Sequence, residues 1–192
     1  MRPNPDTSRP SSDTQDLIVV RAARGATRGT LHFGALRFPC ALGRSGIVSE
    51  KREGDGGTPA GLWPLRDLRY RPDRVTAPET CLASAPTVEN DGWCDAPGDS
   101  AYNLFVTRPY PASSETLWRE DHLYDIVVML GYNDAPVIDG AGSAIFFHLA
   151  KEKEGLLQPT EGCVALALDD MRAVLTKVTP HTRMQIEFSD VD

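Results

Sequence analysis

Apolar positions along this chain recur mostly at every second residue, in short runs broken by glycine and proline, which is the pattern of half-buried strands. The first run is Asp16–Arg21, with Leu17, Ile18, Val19 and Val20. Gly29–Phe38 alternates, placing Leu31, Phe33 and Ala35 on one face and His32 toward solvent. Leu62–Leu68, Tyr102–Val106, Asp125–Leu130, Ser143–Leu149, Cys163–Leu168 and Met184–Phe188 read as further strands. Gly25, Gly29, Gly34, Gly61, Gly131, Gly142 and Gly162 fall mostly at the joints. Helical spacing occurs over Leu168–Val178, where Met171, Val174, Leu175 and Val178 share a face and Asp169 and Asp170 stand at the N-cap and first turn. A second short helix is expected around Ser113–Arg119, capped by Ser113 or Ser114. The pattern predicts a mainly β fold, a sandwich or distorted barrel with one or two short helices and no internal repeat.

Residues 1–16, MRPNPDTSRPSSDTQD, hold no apolar block and are expected to form a disordered N-terminal arm, with residues 17–192 as one folded domain. That arm lacks the apolar stretch of ~7–15 residues a secretory signal requires, so the sequence as given predicts no such export. No apolar run approaches the ~20 residues of a membrane-spanning helix, and no membrane span is expected. Lys and Arg number 20 against 27 Asp and Glu, and the resulting charge of −7 argues against nucleic-acid binding. Four cysteines (Cys40, Cys81, Cys94 and Cys163) are too few for a disulfide scaffold in a chain of 192 residues. Cys81 and Cys94 flank a loop in a pattern compatible with a disulfide, and with no export signal they are expected to be free.

Gly43–Gly61, GRSGIVSEKREGDGGTPAG, mixes glycine with charged residues and is expected to be a surface loop, either a mobile hairpin or a wall facing substrate. It carries neither a Walker-type nor a GxGxxG phosphate loop.

The candidate chemistry lies in SAIFFHLA, residues 143–150, and QPTEGCVALAL, residues 158–168. In a strand, Ala144, Phe146 and His148 share one face while Ile145, Phe147 and Leu149 share the other. Cys163 follows Gly162 and opens the next apolar strand. Two neighbouring strands would bring the imidazole and the thiol within hydrogen-bond reach. The thiolate is the nucleophile, and a free cysteine of pKa about 8.5 is only slightly ionised at neutral pH, so an adjacent imidazole is needed to take its proton. This reading predicts a thiolate–imidazolium pair, with backbone N–H groups at Gly162 and Cys163 as an oxyanion hole. The alternative is a core cysteine and a structural histidine, because free cysteine is among the most buried residue types. His122 sits in a charged run, His181 in a turn, and there is no CxxC, HExxH or compact Cys/His cluster, so neither metal nor cofactor is expected.

The run PTEGCVAL, with its upstream strand histidine, resembles the L,D-transpeptidase catalytic domain, also called the YkuD domain. The hallmark of that family is a strand histidine followed by Ser or Thr, His, Gly, Cys and a hydrophobic residue. Thr160, Gly162, Cys163 and Val164 fit it, and His148 takes the strand position. GDGGTPAGLWPL, residues 54–65, is similar to the family's TPxG segment through Thr58, Pro59 and Gly61. Glu161 stands where the family has histidine, Ala165 where it has Arg or Asn, and the His-to-Cys spacing is short, the marks of a divergent member. The resemblance covers residues 17–188.

It implies a β-rich fold, a cell-envelope location, no cofactor and a two-step acyl transfer between peptidoglycan stem peptides, one donor and one acceptor. Cys163 would attack a donor carbonyl, expel the terminal amino acid and hold the remainder as a thioester, which an acceptor amine would resolve. His148 would be the general base, Gly162 N–H an oxyanion-hole donor, and the backbone carbonyl of Leu149 the group orienting His148. Glu161 is a candidate for holding the acceptor's ammonium, and Thr160, Tyr132 and Arg44 for other substrate contacts. Lys51, Trp93, Tyr102, Asn103 and Asn133 are further candidates for the groove. The linkage, residue three to three or one to three, stays open. Resolution by water would instead make an L,D-carboxypeptidase or endopeptidase. A peptidoglycan-binding β-domain with an inert Cys163 is the rival from a different class.

Overall fold

The computed structural model describes residues 16–189, so the arm expected over residues 1–16 lies, Asp16 aside, outside the described residues. In chain order the strands are β1 (Leu17–Ala22), β2 (Arg28–Phe33), β3 (Leu36–Ala41), β4 (Ile47–Val48), β5 (Thr58–Pro59), β6 (Gly61–Tyr70), β7 (Ser84–Pro86) and β8 (Asp91–Cys94). They continue with β9 (Phe105–Thr107), β10 (Ser114–Thr116), β11 (Ile126–Leu130), β12 (Phe146–Leu149), β13 (Glu152–Lys153), β14 (Leu156–Leu157) and β15 (Val164–Leu166). Helix α1 (Leu168–Leu175) and β16 (Arg183–Phe188) complete the order.

The main sheet runs β11-β12-β15-β3-β2-β1-β16-β6-β7, and β6 also pairs with β11, closing the sheet on itself. Strand β6 makes this possible by its length: Gly61–Pro64 pairs with β16, while Leu65–Tyr70 pairs with β11. Closure removes the edge that β11 would leave, and β7 remains as an edge strand beside β6. The sheet is mixed, with β1 parallel to β16 and β12 parallel to β15. The fold is therefore mainly β, barrel-like, with one short helix among the described residues.

Inside the barrel, Ile18, Val20, Leu31, Phe33, Leu68, Met184 and Ile186 pack with Met171, Val174 and Leu175 of the helix. Asp169 and Asp170 lie in the first helical turn, where the helix dipole favours negative charge, but the N-cap is Ala167 and no side chain caps it. The helix ends at Leu175, short of the expected Val178. Strands β11 and β12 are buried on both faces. Ile126, Val128, Phe147 and Leu149 face the main core, and Val127, Met129 and Phe146 face a second cluster with Cys163, Leu117 and Tyr124. A separate three-stranded sheet, β10-β8-β9, covers that second face and sets Trp93 edge-on against Phe146, 5.3 Å between ring centres.

Several expectations are corrected. The continuous strand over Gly29–Phe38 is a hairpin, because Gly34 turns the chain at φ +58° and pairs Phe33 with Leu36, leaving Ala35 exposed in the turn. The helix expected over Ser113–Arg119 is strand β10, held by pairing of Glu115 with Trp93, a non-local contact that overrides a weak local preference. The strands at Tyr102 and Ser143 begin only at Phe105 and Phe146. Gly43–Gly61 is no mobile hairpin: β4 and β5 pair in parallel, Ile47 is buried, and Thr58 Oγ1 accepts the Gly43 N–H at 2.8 Å. Among the described residues all four cysteines are free, and no helix is long and apolar enough to cross a membrane.

Candidate active site

The parallel register Phe147↔Val164 sets Cys163, one residue before β15, beside Phe146 on β12. The parallel direction requires a crossover, and the β13–β14 hairpin lies within it. Because alternate residues share a face, Cys163, Phe146 and His148 all point away from the barrel interior. Cys163 and His148 are both nearly buried, and both line one cleft of ≈ 660 Å³.

The thiol is tightly placed. Cys163 Sγ–H donates to the Ala144 carbonyl at 3.3 Å, and Phe146 N–H donates to the sulfur at 3.3 Å. Ala144 adopts φ +52°, a left-handed conformation disfavoured for a side chain with a Cβ, and its N–H donates to Asn103 Oδ1 at 3.0 Å. His148 Nδ1 lies 2.8 Å from the Leu149 carbonyl. A carbonyl only accepts, so Nδ1 carries the proton and Nε2 is the basic nitrogen. The Tyr124 ring packs edge-on against the imidazole, 5.1 Å between centres.

The imidazole and thiol make no direct hydrogen bond to each other, and burial of both works against the thiolate–imidazolium pair expected from sequence. Burial pushes the Cys163 thiol up to about 12; the charge of Glu115 adds to this, while the Phe146 N–H and the Lys51 and Arg119 cations act against it. Burial likewise pushes His148 down to about 4, against the pull of its hydrogen bond to Leu149. Desolvation penalises a charge on either group and so favours the neutral form of both.

The turn before the cysteine is locked by its own backbone. Thr160 Oγ1 donates to the Cys163 carbonyl at 2.7 Å and accepts the Gly162 N–H at 3.2 Å. The Gly162 N–H expected in the oxyanion hole is thus engaged inside the turn, and the Thr160 hydroxyl expected on substrate braces that turn instead. Gly162 sits at φ +143°, and a Cβ there would stand 2.9 Å from the Gly57 carbonyl oxygen. Arg44 N–H donates to the Thr160 carbonyl at 2.8 Å, which fastens the Gly43–Gly61 segment to the cysteine turn.

The structure brings Arg44, Lys51, Thr160 and Glu161 to the cleft with Cys163 and His148, so Gly43–Gly61 forms a wall of it. Glu161 does not face an empty groove; its carboxylate accepts from Arg44 Nε at 2.7 Å. The Lys51 side chain is only 4% exposed and donates to Asp55 at 2.6 Å. Tyr132 lies outside the cleft lining: its hydroxyl donates to the Ala141 carbonyl at 2.6 Å and its ring packs edge-on against Trp63. Trp93, Tyr102, Asn103 and Asn133 act behind the site. Asn103 Oδ1 accepts from Trp93 Nε1 at 2.9 Å as well as from Ala144. Tyr102 O–H and Ser143 O–H both donate to Glu53, and Asn133 donates to the Gly142 carbonyl at 2.9 Å.

Sequence reasoning did not single out Glu53, Glu115, Arg119 or Tyr124, all of which line the cleft. Tyr124 O–H donates to Glu115 at 2.6 Å, and Arg119 Nη1 donates to the same oxygen at 3.4 Å. Burial pushes the Glu115 carboxyl up. The charged run around Arg119 was the available signal, but the register that turns it toward Cys163 is long-range. No group of three or more His, Cys, Asp or Glu that could hold a metal occurs among the described residues.

Comparison with known proteins adds a family. Residues 16–186 match the family described as YkuD, L,D-transpeptidase catalytic domain. Mycobacterium tuberculosis L,D-transpeptidase 1 is a structural neighbour at 14% identity and TM-score 0.36, over 91% of this chain and 63% of that one. The chain thus spans less than two thirds of that neighbour's length. No curated protein matches.

Proposed function

Because the chain belongs to the L,D-transpeptidase catalytic-domain family, we propose that it is a cell-envelope peptidoglycan L,D-transpeptidase that works through a thioester on Cys163. One observation carries the reading: neighbouring parallel strands present Cys163 and a histidine with a defined basic nitrogen to the same cleft. A stem peptide entering the cleft displaces water and sets a carbonyl carbon at the sulfur. His148 Nε2 takes the thiol proton as the S–C bond forms, so charge separation arises only with substrate in place. The Cys163 N–H, for which no acceptor occurs among the described residues, is the donor left for the developing oxyanion. Collapse of the tetrahedral adduct breaks the C–N bond, and the imidazolium returns its proton to the departing amine. An acceptor amine then attacks the thioester, passes a proton to His148 and releases the new amide, with the thiol regenerated.

Incubation with purified muropeptides, read by mass spectrometry beside Cys163→Ala, tests this. The expected product is a dimer weighing two stems minus the leaving group, absent with the variant, whose fragmentation assigns the linkage. Shortened monomers without dimers would make the enzyme a hydrolase. Unchanged muropeptides would leave a binding domain.

A further inference from the structure

We infer that the Arg44–Glu161 pair is a receptor for a zwitterionic α-amino-acid terminus, with Arg44 taking the carboxylate and Glu161 the ammonium. The inference rests on the reading of Cys163 as nucleophile, since the pair lies at the mouth of the same cleft and Glu161 is two residues from the sulfur-bearing residue.

The two side chains come from separate segments held side by side. Gly43 bridges to Thr160 in parallel, and Arg44 N–H donates to the Thr160 carbonyl at 2.8 Å. The backbone therefore fixes a cation next to an anion at the rim. The guanidinium has a second anchor, Nη2 to the Gly54 carbonyl at 3.1 Å. It crosses Gly56, at φ +69°, where a Cβ would stand 2.6 Å from the Arg44 Cζ. A glycine at that position clears the path on which the guanidinium lies.

Two other cations of the cleft are committed elsewhere, while Lys151 also lines it. Lys51 is held by Asp55, and Arg119 is held by Asp121 and Glu115. Of the ion pairs lining the cleft, Arg44–Glu161 is the most open, with the side chains 51% and 80% exposed. An ion pair so exposed contributes little to folding, so exchanging it for another is cheap. A ligand carrying one ammonium and one carboxylate on a single carbon replaces each partner with a like charge and strands neither. A ligand with only one of those charges would break the pair and leave the other side chain without its partner. The pair therefore selects for the zwitterion.

The test uses calorimetric titration of the full chain in a Cys163→Ala background, so that nothing turns over. Three probes are compared: the L-Ala-γ-D-Glu-meso-diaminopimelate tripeptide, its derivative acetylated on the side-chain amine, and its derivative amidated on the side-chain carboxylate. The tripeptide is expected to bind about tenfold tighter than either derivative. Glu161→Gln should weaken the tripeptide about tenfold yet strengthen the acetylated probe, because Arg44 is released. Arg44→Gln should do the mirror image with the amidated probe. Equal affinity for all three probes, no binding of the tripeptide, or a uniform loss in both variants would overturn the inference. Acylation of wild-type Cys163 by a donor peptide, followed by intact mass, separates the two readings. An acylated protein whose affinities ignore probe charge refutes the receptor alone. Charge-selective binding by a protein that is never acylated refutes the transpeptidase alone.

Discussion

Asn103 is a buried side chain whose amide makes four hydrogen bonds, and replacing it with alanine removes all of them. Oδ1 accepts from Trp93 Nε1 at 2.9 Å and from Ala144 N–H at 3.0 Å, while Nδ2 donates to the carbonyls of Tyr132 at 3.1 Å and Asn133 at 2.8 Å. A hydrogen bond nets about 1 kcal/mol, and a buried group left unpaired costs roughly 1–3 kcal/mol. Asn103 also holds φ +56°, which alanine tolerates less well, at a cost of about 1 kcal/mol. With water reaching some of the freed groups, the loss should be about 3–4 kcal/mol. Asn103→Gly, which keeps the amide deletion but relieves the backbone, should lose about 1 kcal/mol less. Urea unfolding with unchanged m measures both. The same deletion frees Ala144, whose carbonyl holds the thiol, so acylation of Cys163 should slow by about 10²-fold even in the folded fraction. A loss below about 1 kcal/mol together with an unchanged acylation rate would refute this account of how the thiol is placed.

His148→Gln should slow acylation by about 10²–10⁴-fold, read as the single-turnover rate. The folded pKa of His148, about 4, lies below the ordinary 6.5, so the unfolded chain binds more protons between those values. The resulting stability is present above pH 6.5 and lost as pH falls through 4, at most about 3 kcal/mol, and urea unfolding at pH 7 and pH 4.5 should show a loss that His148→Gln removes. With its thiol pushed up to about 12, Cys163 should be alkylated by iodoacetamide with no plateau below pH 10; an inflection near pH 7 would mean a preformed ion pair. Gly162→Ala forces a Cβ to 2.9 Å from the Gly57 carbonyl at φ +143°, so it should lower both stability, by about 1–3 kcal/mol, and acylation.

Much of this site was legible in the sequence because its chemistry is local. Alternation along Ser143–Leu149 placed His148 with Phe146 and opposite Phe147, and the structure keeps that division even though the first three residues are not strand. Gly162 before Cys163 marked a tight turn, and the turn is there. What the sequence withheld depends on partners far along the chain. Ser114–Thr116 is too short to declare itself a strand without β8 beside it. Glu115 and Tyr124 look like ordinary surface and strand residues until the small sheet folds them over Cys163. The upward push on the thiol and the downward push on the imidazole were equally hidden, since both follow from burial, a property of the packed barrel rather than of any motif.

The central claim is that Cys163 carries the acyl group. Intact-protein mass spectrometry after mixing with a tetrapeptide-stem muropeptide, then digestion, reads this directly. The account predicts a gain equal to the donor minus its terminal amino acid, confined to the fragment containing Cys163, released by hydroxylamine and slowed in His148→Gln. Turnover of the muropeptide with no adduct in the wild type, and undiminished in Cys163→Ala, would contradict it.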